Sequence, residues 1–165
     1  MTPFTRAVVG YALKQVGKPY IWAGRGDFVI RDEKRVSTAA VGVDGGNVYD
    51  CSGLVTDAIR AACGVDLRLN WNADRLWRAL PVADTETDDA DDDYRLRFYG
   101  SKGGRATHIA ITLGNGLVVE ASGGDSKTLT YKDAVLSGAC VSVHFESRVD
   151  VLGNRSLNAA RRLKP

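Results

Sequence analysis

The hydrophobic pattern of this chain changes period near Tyr94, and this change constrains the fold more than any other feature of the sequence. Before Tyr94, apolar residues recur at the three- and four-residue spacing of helices, whereas short β-rich runs punctuated by glycine follow it. We predict strands over residues 95–99, 107–113, 117–121, 127–131 and 139–145. Helices followed by antiparallel strands are typical of α+β domains. We therefore expect an α+β fold in which N-terminal helices pack on a small antiparallel β-sheet.

Three helices are predicted in the first half of the chain. Thr2 and Pro3 are typical of an N-cap and a first helical residue, and Gly17 is expected to end the helix that they begin. The clearest apolar stripe spans residues 51–63, and a further helix is predicted over residues 72–80.

The chain length of 165 residues predicts a single domain over residues 1–165, with a core over about residues 4–145. The basic residues 146–165 are expected to form either a final helix or a loosely held tail. The glycine-rich residues 24–49 are interpreted as a long loop, with or without a hairpin. Residues 84–93 are interpreted as an exposed acidic loop, because they lack the glycine and the terminal glutamate of an EF-hand.

Charge balance and residue spacing argue against several classes of function. Lys and Arg number 22 against 20 Asp and Glu, and a net charge of +2 is too balanced for a dedicated nucleic-acid binder. No apolar run approaches the roughly 18 residues of a membrane span, and Lys14 and Lys18 stand where a signal peptide would be apolar. The two histidines and three cysteines show no metal-ligand spacing. We therefore expect no nucleic-acid partner, no membrane span, no metal and no other cofactor.

Cys51 stands at the first position of the predicted helix over residues 51–63, directly after Asp50. The partial positive charge of a helix N-terminus favours the thiolate over the thiol, and Asp50 is suited to be the N-cap. The small residues Ser52 and Gly53 leave room for a substrate, and N–H groups in the first helical turn can bind an oxyanion. The sequence therefore indicates Cys51 as a candidate nucleophile.

A base and an orienting acid come from two consecutive predicted strands. His108 lies on the first strand, and Glu120 lies twelve positions further on, on the returning strand. A two-residue turn would pair Glu120 with Ile111 and point it away from His108. A three-residue loop over residues 114–116 would pair Glu120 with Ala110 and make it the diagonal neighbour of His108. We predict the three-residue loop, and hence a thiol, an imidazole and an orienting carboxylate.

Together these motifs resemble the NlpC/P60 family of cysteine peptidases. The resemblance rests on residues 20–24 (YIWAG), 50–55 (DCSGLV) and 108–116 (HIAITLGNG), and it covers roughly residues 4–145. It implies a papain-like fold, with the nucleophile at a helix N-terminus packed against a small antiparallel sheet, and no cofactor. It also implies hydrolysis of amide bonds in bacterial peptidoglycan stem peptides, commonly the bond between D-γ-glutamate and a diamino acid.

Carried over residue by residue, the resemblance implies a role for each candidate site residue. Cys51 is expected to be the nucleophile, His108 the general base and Glu120 the third polar residue, whose charge should raise the pKa of His108. The residues expected to contact or shape the substrate site are Tyr20, Trp22, Asp50 and Ser52. Outside the site, Cys63 and Cys140 are expected in the core, and His144 is expected to face solvent.

Glutamate at position 120, and Phe-Tyr-Gly before the histidine strand, resemble phage-encoded members of the family. This resemblance implies peptidoglycan as a partner and delivery by a phage tail or lysis system. The alternatives are a secreted antibacterial amidase, an acyltransferase that uses the same Cys–His site, and a catalytically idle wall-binding module. Because no export signal is visible, we expect synthesis in the cytoplasm and action at the cell wall or in the periplasm after delivery.

Overall fold

Four α-helices occur among residues 1–82, 94–101 and 104–165, which are the residues that this computed structural model describes. They are α1 (Pro3–Lys14), α2 (Cys51–Cys63), α3 (Ala73–Ala79) and α4 (Tyr131–Ser137). The first three confirm the predicted helices, and their N-caps are the polar side chains of Thr2, Asp50 and Asn72. The predicted acidic loop over residues 84–93 lies outside the described residues.

The predicted strand over residues 127–131 is wrong, because residues 127–130 belong to no strand and α4 begins at Tyr131. Thr130 and Asp133 form a reciprocal capping box, in which the Thr130 side chain accepts from the Asp133 N–H and Asp133 accepts from the Thr130 N–H. Gly138 ends the helix in the left-handed conformation, with φ of 69°. These two local caps set the beginning and the end of α4.

Nine strands form three antiparallel sheets in the described part of the chain. The main sheet has the strand order β8-β7-β6-β5-β9. Its members are β5 (Leu96–Gly100), β6 (Ala106–Gly114), β7 (Leu117–Ser122), β8 (Cys140–Phe145) and β9 (Val151–Arg155). The two smaller sheets pair β1 (Arg25–Gly26) with β4 (Val48–Tyr49), and β2 (Phe28–Arg31) with β3 (Lys34–Ser37). The hairpin within residues 24–49 is therefore present, and residues at both ends of the predicted loop pair with each other.

The connection between β6 and β7 is a two-residue turn at Asn115 and Gly116, and the predicted three-residue loop is wrong. Both residues have positive φ, 52° and 75°, as a type I′ turn requires. A β-bulge at Leu113 then shifts the register by one residue. The bulge restores the register that was predicted from the longer loop, so Glu120 still shares a face with His108.

The C-terminal residues pack more fully than expected, because β9 forms an edge of the main sheet beside β5. Leu157, Ala159 and Ala160 follow it and are buried in the main core, the latter two within a short 3-10 helix over Asn158–Arg162. The core therefore extends well beyond residue 145, and the expectation of an end there is wrong. Phe98 pairs with Gly153, which lies 55 positions further along the sequence. No local pattern could have predicted this strand pairing.

The two faces of the main sheet have different surroundings. One face packs against α2, and α1 packs against α2 and also contacts β7. The opposite face carries a small buried cluster of Tyr99, Ala110 and Val118. The chain between β8 and β9 crosses this second face, where Glu146 accepts a hydrogen bond of 2.7 Å from the Tyr99 hydroxyl. His108 lies on this face, because it pairs directly with Tyr99.

A buried carboxylate, Asp57, holds α2 against its neighbours. It accepts hydrogen bonds from the hydroxyls of Tyr11 on α1 (2.6 Å) and Tyr49 on β4 (3.0 Å). Arg60 and Arg68 contact its other oxygen at 2.8 and 3.3 Å. Such a satisfied polar cluster fixes the orientation of the helix whose first residue is Cys51.

Candidate active site

The N-terminus of α2 is organised by Asp50. Its Oδ1 accepts hydrogen bonds from the Gly53 N–H (2.6 Å) and the Ser52 hydroxyl (2.9 Å), and it forms a buried ion pair with Arg25. Ser52 and Gly53 belong to the first helical turn, and Arg25 reaches Asp50 from β1. The position of Cys51 is therefore set by contacts within its own turn and by one ion pair. Asp50 and Ser52 are themselves buried, yet both line the cleft beside Cys51.

Cys51, His108 and Glu120 lie together in the structure. His108 Nε2 is 2.6 Å from Glu120 Oε2, and the imidazole also hydrogen-bonds to the Cys51 thiol. Because Nε2 is occupied by Glu120, Nδ1 is the nitrogen that remains for Cys51. The three elements α2, β6 and β7 thus bring together a thiol, an imidazole and a carboxylate in the order that activates a nucleophile.

The pKa values of this group indicate charged side chains. Burial alone lowers the pKa of His108, but its hydrogen bonds to Cys51 and Glu120 outweigh burial and raise that pKa to about 9. Burial raises the pKa of Glu120, but the hydrogen bond to His108 outweighs it and lowers that pKa to about 2. The expectation that Glu120 raises the pKa of His108 is confirmed. The imidazolium and the carboxylate therefore both persist at neutral pH.

An open cleft of about 650 Å³ exposes the candidate nucleophile. Tyr20 and Trp22 line the cleft from the segment between α1 and β1, where Tyr20 is buried and Trp22 is 45% exposed. Burial, followed by the negative charge of Cys51, raises the pKa of the Tyr20 hydroxyl, which keeps its proton and can donate to a ligand. The Tyr20 ring packs against Gly124, where a Cβ would lie 2.3 Å from the ring.

Six of the seven predicted site residues line this cleft, and the seventh, Glu120, contacts His108. The cleft also has lining residues that the sequence analysis did not predict. The additional lining residues include Asn72, Asp74, Arg105, Asp125 and Arg148. Arg105 precedes His108 by three residues and lies just before β6, so the alternation of side chains along a strand does not indicate it. Arg148 carries no local signal, because it comes from the segment that crosses the sheet after β8.

His144 contradicts the prediction that it faces solvent. Its side chain is only 37% exposed, and Nε2 lies 3.1 Å from Glu120 Oε1. The register explains the contact: Val118 pairs with His144 and Glu120 with Ser142, so His144 is the diagonal neighbour of Glu120 on the same face. The expected core position of Cys63 is also wrong, because its side chain is exposed, while Cys140 is half-buried.

Two further features concern ligands and membranes. Within the described ranges, no group of three or more His, Cys, Asp or Glu side chains has a geometry that could hold a metal ion. No helix among the same residues is long and apolar enough to cross a membrane.

Comparison with known proteins identifies relatives in both sequence and fold. The NlpC/P60 family model matches residues 17–143. The peptidoglycan endopeptidase RipB of Mycobacterium tuberculosis is 33% identical over 123 residues, which are 73% of this chain and 44% of RipB. The chain thus spans less than half the length of this curated relative.

Solved structures agree with the sequence match. The P60 domain of the antigen MAP1204 from M. avium subspecies paratuberculosis is 25% identical, with a TM-score of 0.59 over 93% of both chains. RipB itself superposes with a TM-score of 0.57 at 25% identity, over 93% of this chain and 63% of RipB. RipD of M. tuberculosis, described as a non-catalytic NlpC/p60 domain protein, shares the fold at 21% identity with a TM-score of 0.59, over 93% of this chain and 96% of RipD. A family match over most of the chain, an α+β fold shared with P60 domains and a cysteine at the start of α2 lead to one conclusion: this chain belongs to the NlpC/P60 family.

Proposed function

We propose that this protein is a cysteine peptidase that hydrolyses peptide bonds in bacterial peptidoglycan stem peptides, with the bond between D-γ-glutamate and a diamino acid as its target. The observation that carries the proposal is the Cys51–His108–Glu120 arrangement at the floor of an open cleft. The similarity to RipB, a peptidoglycan endopeptidase, supports the substrate class. The non-catalytic character of RipD makes an idle binding module the competing proposal.

The proposed mechanism uses the thiol, the imidazole and the carboxylate of the site. The Cys51 thiolate attacks the scissile carbonyl, and backbone N–H groups of the first turn of α2, including that of Cys51, stabilise the oxyanion. The His108 imidazolium then donates its Nδ1 proton to the leaving amine, which departs and leaves a thioester. Water then attacks the thioester while His108 takes a proton from that water. The acyl product departs as a carboxylic acid, and the Cys51 thiolate is regenerated. Glu120 keeps the imidazole in one orientation throughout.

The cleft carries both signs of charge, which suits a stem peptide with free carboxylates and amines. Arg105 and Arg148 provide guanidinium groups, which pair well with carboxylates. Asp74 and Asp125 provide carboxylates for a substrate amine. Trp22, exposed at the rim, offers an apolar surface to the rest of the peptide.

The test of this function is mass spectrometry of purified peptidoglycan fragments incubated with the wild type and with Cys51→Ala. New fragments that depend on Cys51 would support the hydrolase, and their masses would identify the bond. Unchanged fragments in the presence of well-folded protein would overturn the proposal and favour the idle module. Products that appear only when an amine acceptor is added would favour the acyltransferase.

Peptidoglycan lies outside the cytoplasmic membrane, so the proposed substrate requires action at the cell wall or in the periplasm. We propose that a virion or a secretion system delivers the protein there. Detection of the protein in purified phage particles would support virion delivery, and its accumulation in the medium with a secretion apparatus would support the alternative.

The first expected result concerns pH. We expect kcat/KM to fall as pH rises through about 9, because His108 loses there the proton that it gives to the leaving amine. The stability that His108 gains from its partners should be complete below pH 6.5 and lost toward pH 9, and that of Glu120 complete above pH 4.5 and lost toward pH 2. Initial rates from pH 5 to 10 test the first statement, and urea midpoints across the same range and below test the second. An alkaline limb near pH 7 would contradict the ion pair.

The second expected result concerns Glu120→Gln. The amide is nearly isosteric but neutral, so the imidazolium of His108 loses its charged partner, and we expect kcat to fall on the order of 10²-fold. The alkaline limb should also move below pH 9, because Glu120 is one of the groups that raise the pKa of His108. Glu33→Gln, at the exposed turn between β2 and β3, is the matched control and should behave as the wild type. A Glu120→Gln profile that superimposes on the wild type would exclude an orienting role for Glu120.

A further inference from the structure

Glu120 lies between two histidines that come from its two neighbouring strands. His108 on β6 contacts Oε2 at 2.6 Å, and His144 on β8 contacts Oε1 at 3.1 Å. Glu120 is buried, with 3% of its side chain exposed. Each carboxylate oxygen therefore has its own imidazole partner, and the carboxylate cannot rotate without losing both.

His144 is directed at Glu120 through Nε2. Glu120 is ionised because its pKa lies near 2, so its Oε1 accepts a hydrogen bond and does not donate one. The other ring nitrogen, Nδ1, lies 2.9 Å from the backbone carbonyl of Phe145. The ring is therefore held at both nitrogens, with Nε2 facing the carboxylate.

The four side chains thus form one continuous series of contacts: Cys51, His108, Glu120 and His144. We propose that His144 is a positioning residue, which donates a hydrogen bond from Nε2 to Glu120 and so holds the carboxylate in the orientation that aligns His108 with Cys51. This inference rests on the proposed function of the Cys51 site. It concerns a residue that does not touch the substrate and acts only through Glu120.

Groups other than the two histidines also act on Glu120. The other charged group that acts on Glu120 is Arg148, from the segment crossing the sheet, while Glu146 of that segment bonds Tyr99 and Arg97. β8 is an edge strand in the described sheet, so only β7 faces His144 from a neighbouring strand.

Two substitutions test the hydrogen bond. His144→Ala removes the donor to Glu120, whereas His144→Gln keeps an amide N–H for Glu120. We expect His144→Ala to lower kcat about tenfold with KM changed by less than about twofold, and His144→Gln to recover most of the loss. In His144→Ala the alkaline limb should move to higher pH, because Glu120 loses a hydrogen-bond donor and then acts more strongly on His108, whereas in His144→Gln it should stay near the wild-type position. Val143→Thr, on the opposite side of β8, is the matched control.

A second readout needs no substrate: the rate at which iodoacetamide alkylates Cys51 as a function of pH. Trypsin cleavage after Arg60 places Cys51 and Cys63 on different peptides, so mass spectrometry follows each thiol separately. We expect the alkaline step of Cys51 alkylation to shift upward in His144→Ala and to stay in place in His144→Gln and in Val143→Thr.

The outcomes are distinguishable from those of the proposed function. If the wild type cleaves no stem peptide, the function fails, and the alkylation profiles still decide the role of His144. Profiles of His144→Ala that superimpose on the wild type, in alkylation or in kcat, would overturn the inference. Equal loss of kcat in His144→Ala and His144→Gln would overturn the hydrogen-bonding role, because the amide donor would then recover nothing.

Discussion

Replacing Cys51 by alanine is expected to lower kcat for stem-peptide cleavage on the order of 10⁴-fold or more while leaving the protein folded. Without the sulfur there is no group to form the thioester, and His108 and Glu120 alone cannot replace it. The thiol is only half-buried, so we expect a change in unfolding free energy of about 1 kcal/mol or less. Initial rates on purified peptidoglycan fragments and urea denaturation measure the two effects.

A second consequence of this substitution is visible without substrate. The hydrogen bond and negative charge of Cys51 help to raise the pKa of His108, so the pKa of His108 should fall below 9 in Cys51→Ala. NMR titration of the imidazole would record the fall. Cys63→Ala removes an exposed thiol from the last turn of the same helix and should leave both kcat and the titration unchanged. Retained turnover in Cys51→Ala would exclude Cys51 as the nucleophile.

Replacing Gly53 by alanine is expected to destabilise the protein and to inactivate it. A Cβ at this position would lie 1.9 Å from the carbonyl oxygen of Gly24, a backbone atom that cannot rotate away. The first turn of α2 would have to move from the strand beside it, at a cost on the order of 3 kcal/mol. Because Cys51 belongs to this turn, its distance from His108 would change as well. Urea denaturation and alkylation of Cys51 measure the two effects.

Gly10 provides the matched control for Gly53, because it also lies within a helix. No atom lies within 4 Å of a Cβ built at Gly10, so alanine there meets no neighbour. Alanine has the higher helix propensity, and we expect Gly10→Ala to stabilise the protein by roughly 0.5–1 kcal/mol. Opposite signs for the two substitutions would support a steric role for Gly53. Equal stability of Gly53→Ala and the wild type would contradict the close approach of α2 to Gly24.

For the hairpin of β6 and β7, the predicted register is correct although the predicted turn length is wrong. The contact between His108 and Glu120 was predicted from a three-residue loop, and the structure produces it with a two-residue turn and a bulge at Leu113. Both routes insert one residue on the β6 side of the hairpin. Sequence reasoning could infer that the residue was needed, because the carboxylate had to reach the imidazole, but turn propensity alone did not locate it.

The residues next to position 51 were enough to predict where α2 begins and that Cys51 is its first residue. Asp50 caps the helix through Gly53 and Ser52, and these contacts span only three residues. The apolar period was enough to predict α1, α2 and α3. The three-residue spacing of Thr130 and Asp133, which is that of a capping box, was a signal for α4 that the sequence analysis missed. Interactions between residues a few positions apart depend only on the local sequence, so sequence analysis can predict them.

Only the tertiary structure decided what surrounds Glu120. His144 reaches it because β8 pairs with β7 in one register, and Arg148 acts on it because the next segment crosses the sheet toward β9. Register between strands joined by a helix, and the path of a crossing segment, depend on how the whole core packs rather than on any local pattern. The sequence alone therefore determined the candidate nucleophile and its candidate base, while packing over long separations decided the second histidine and the charges that line the cleft.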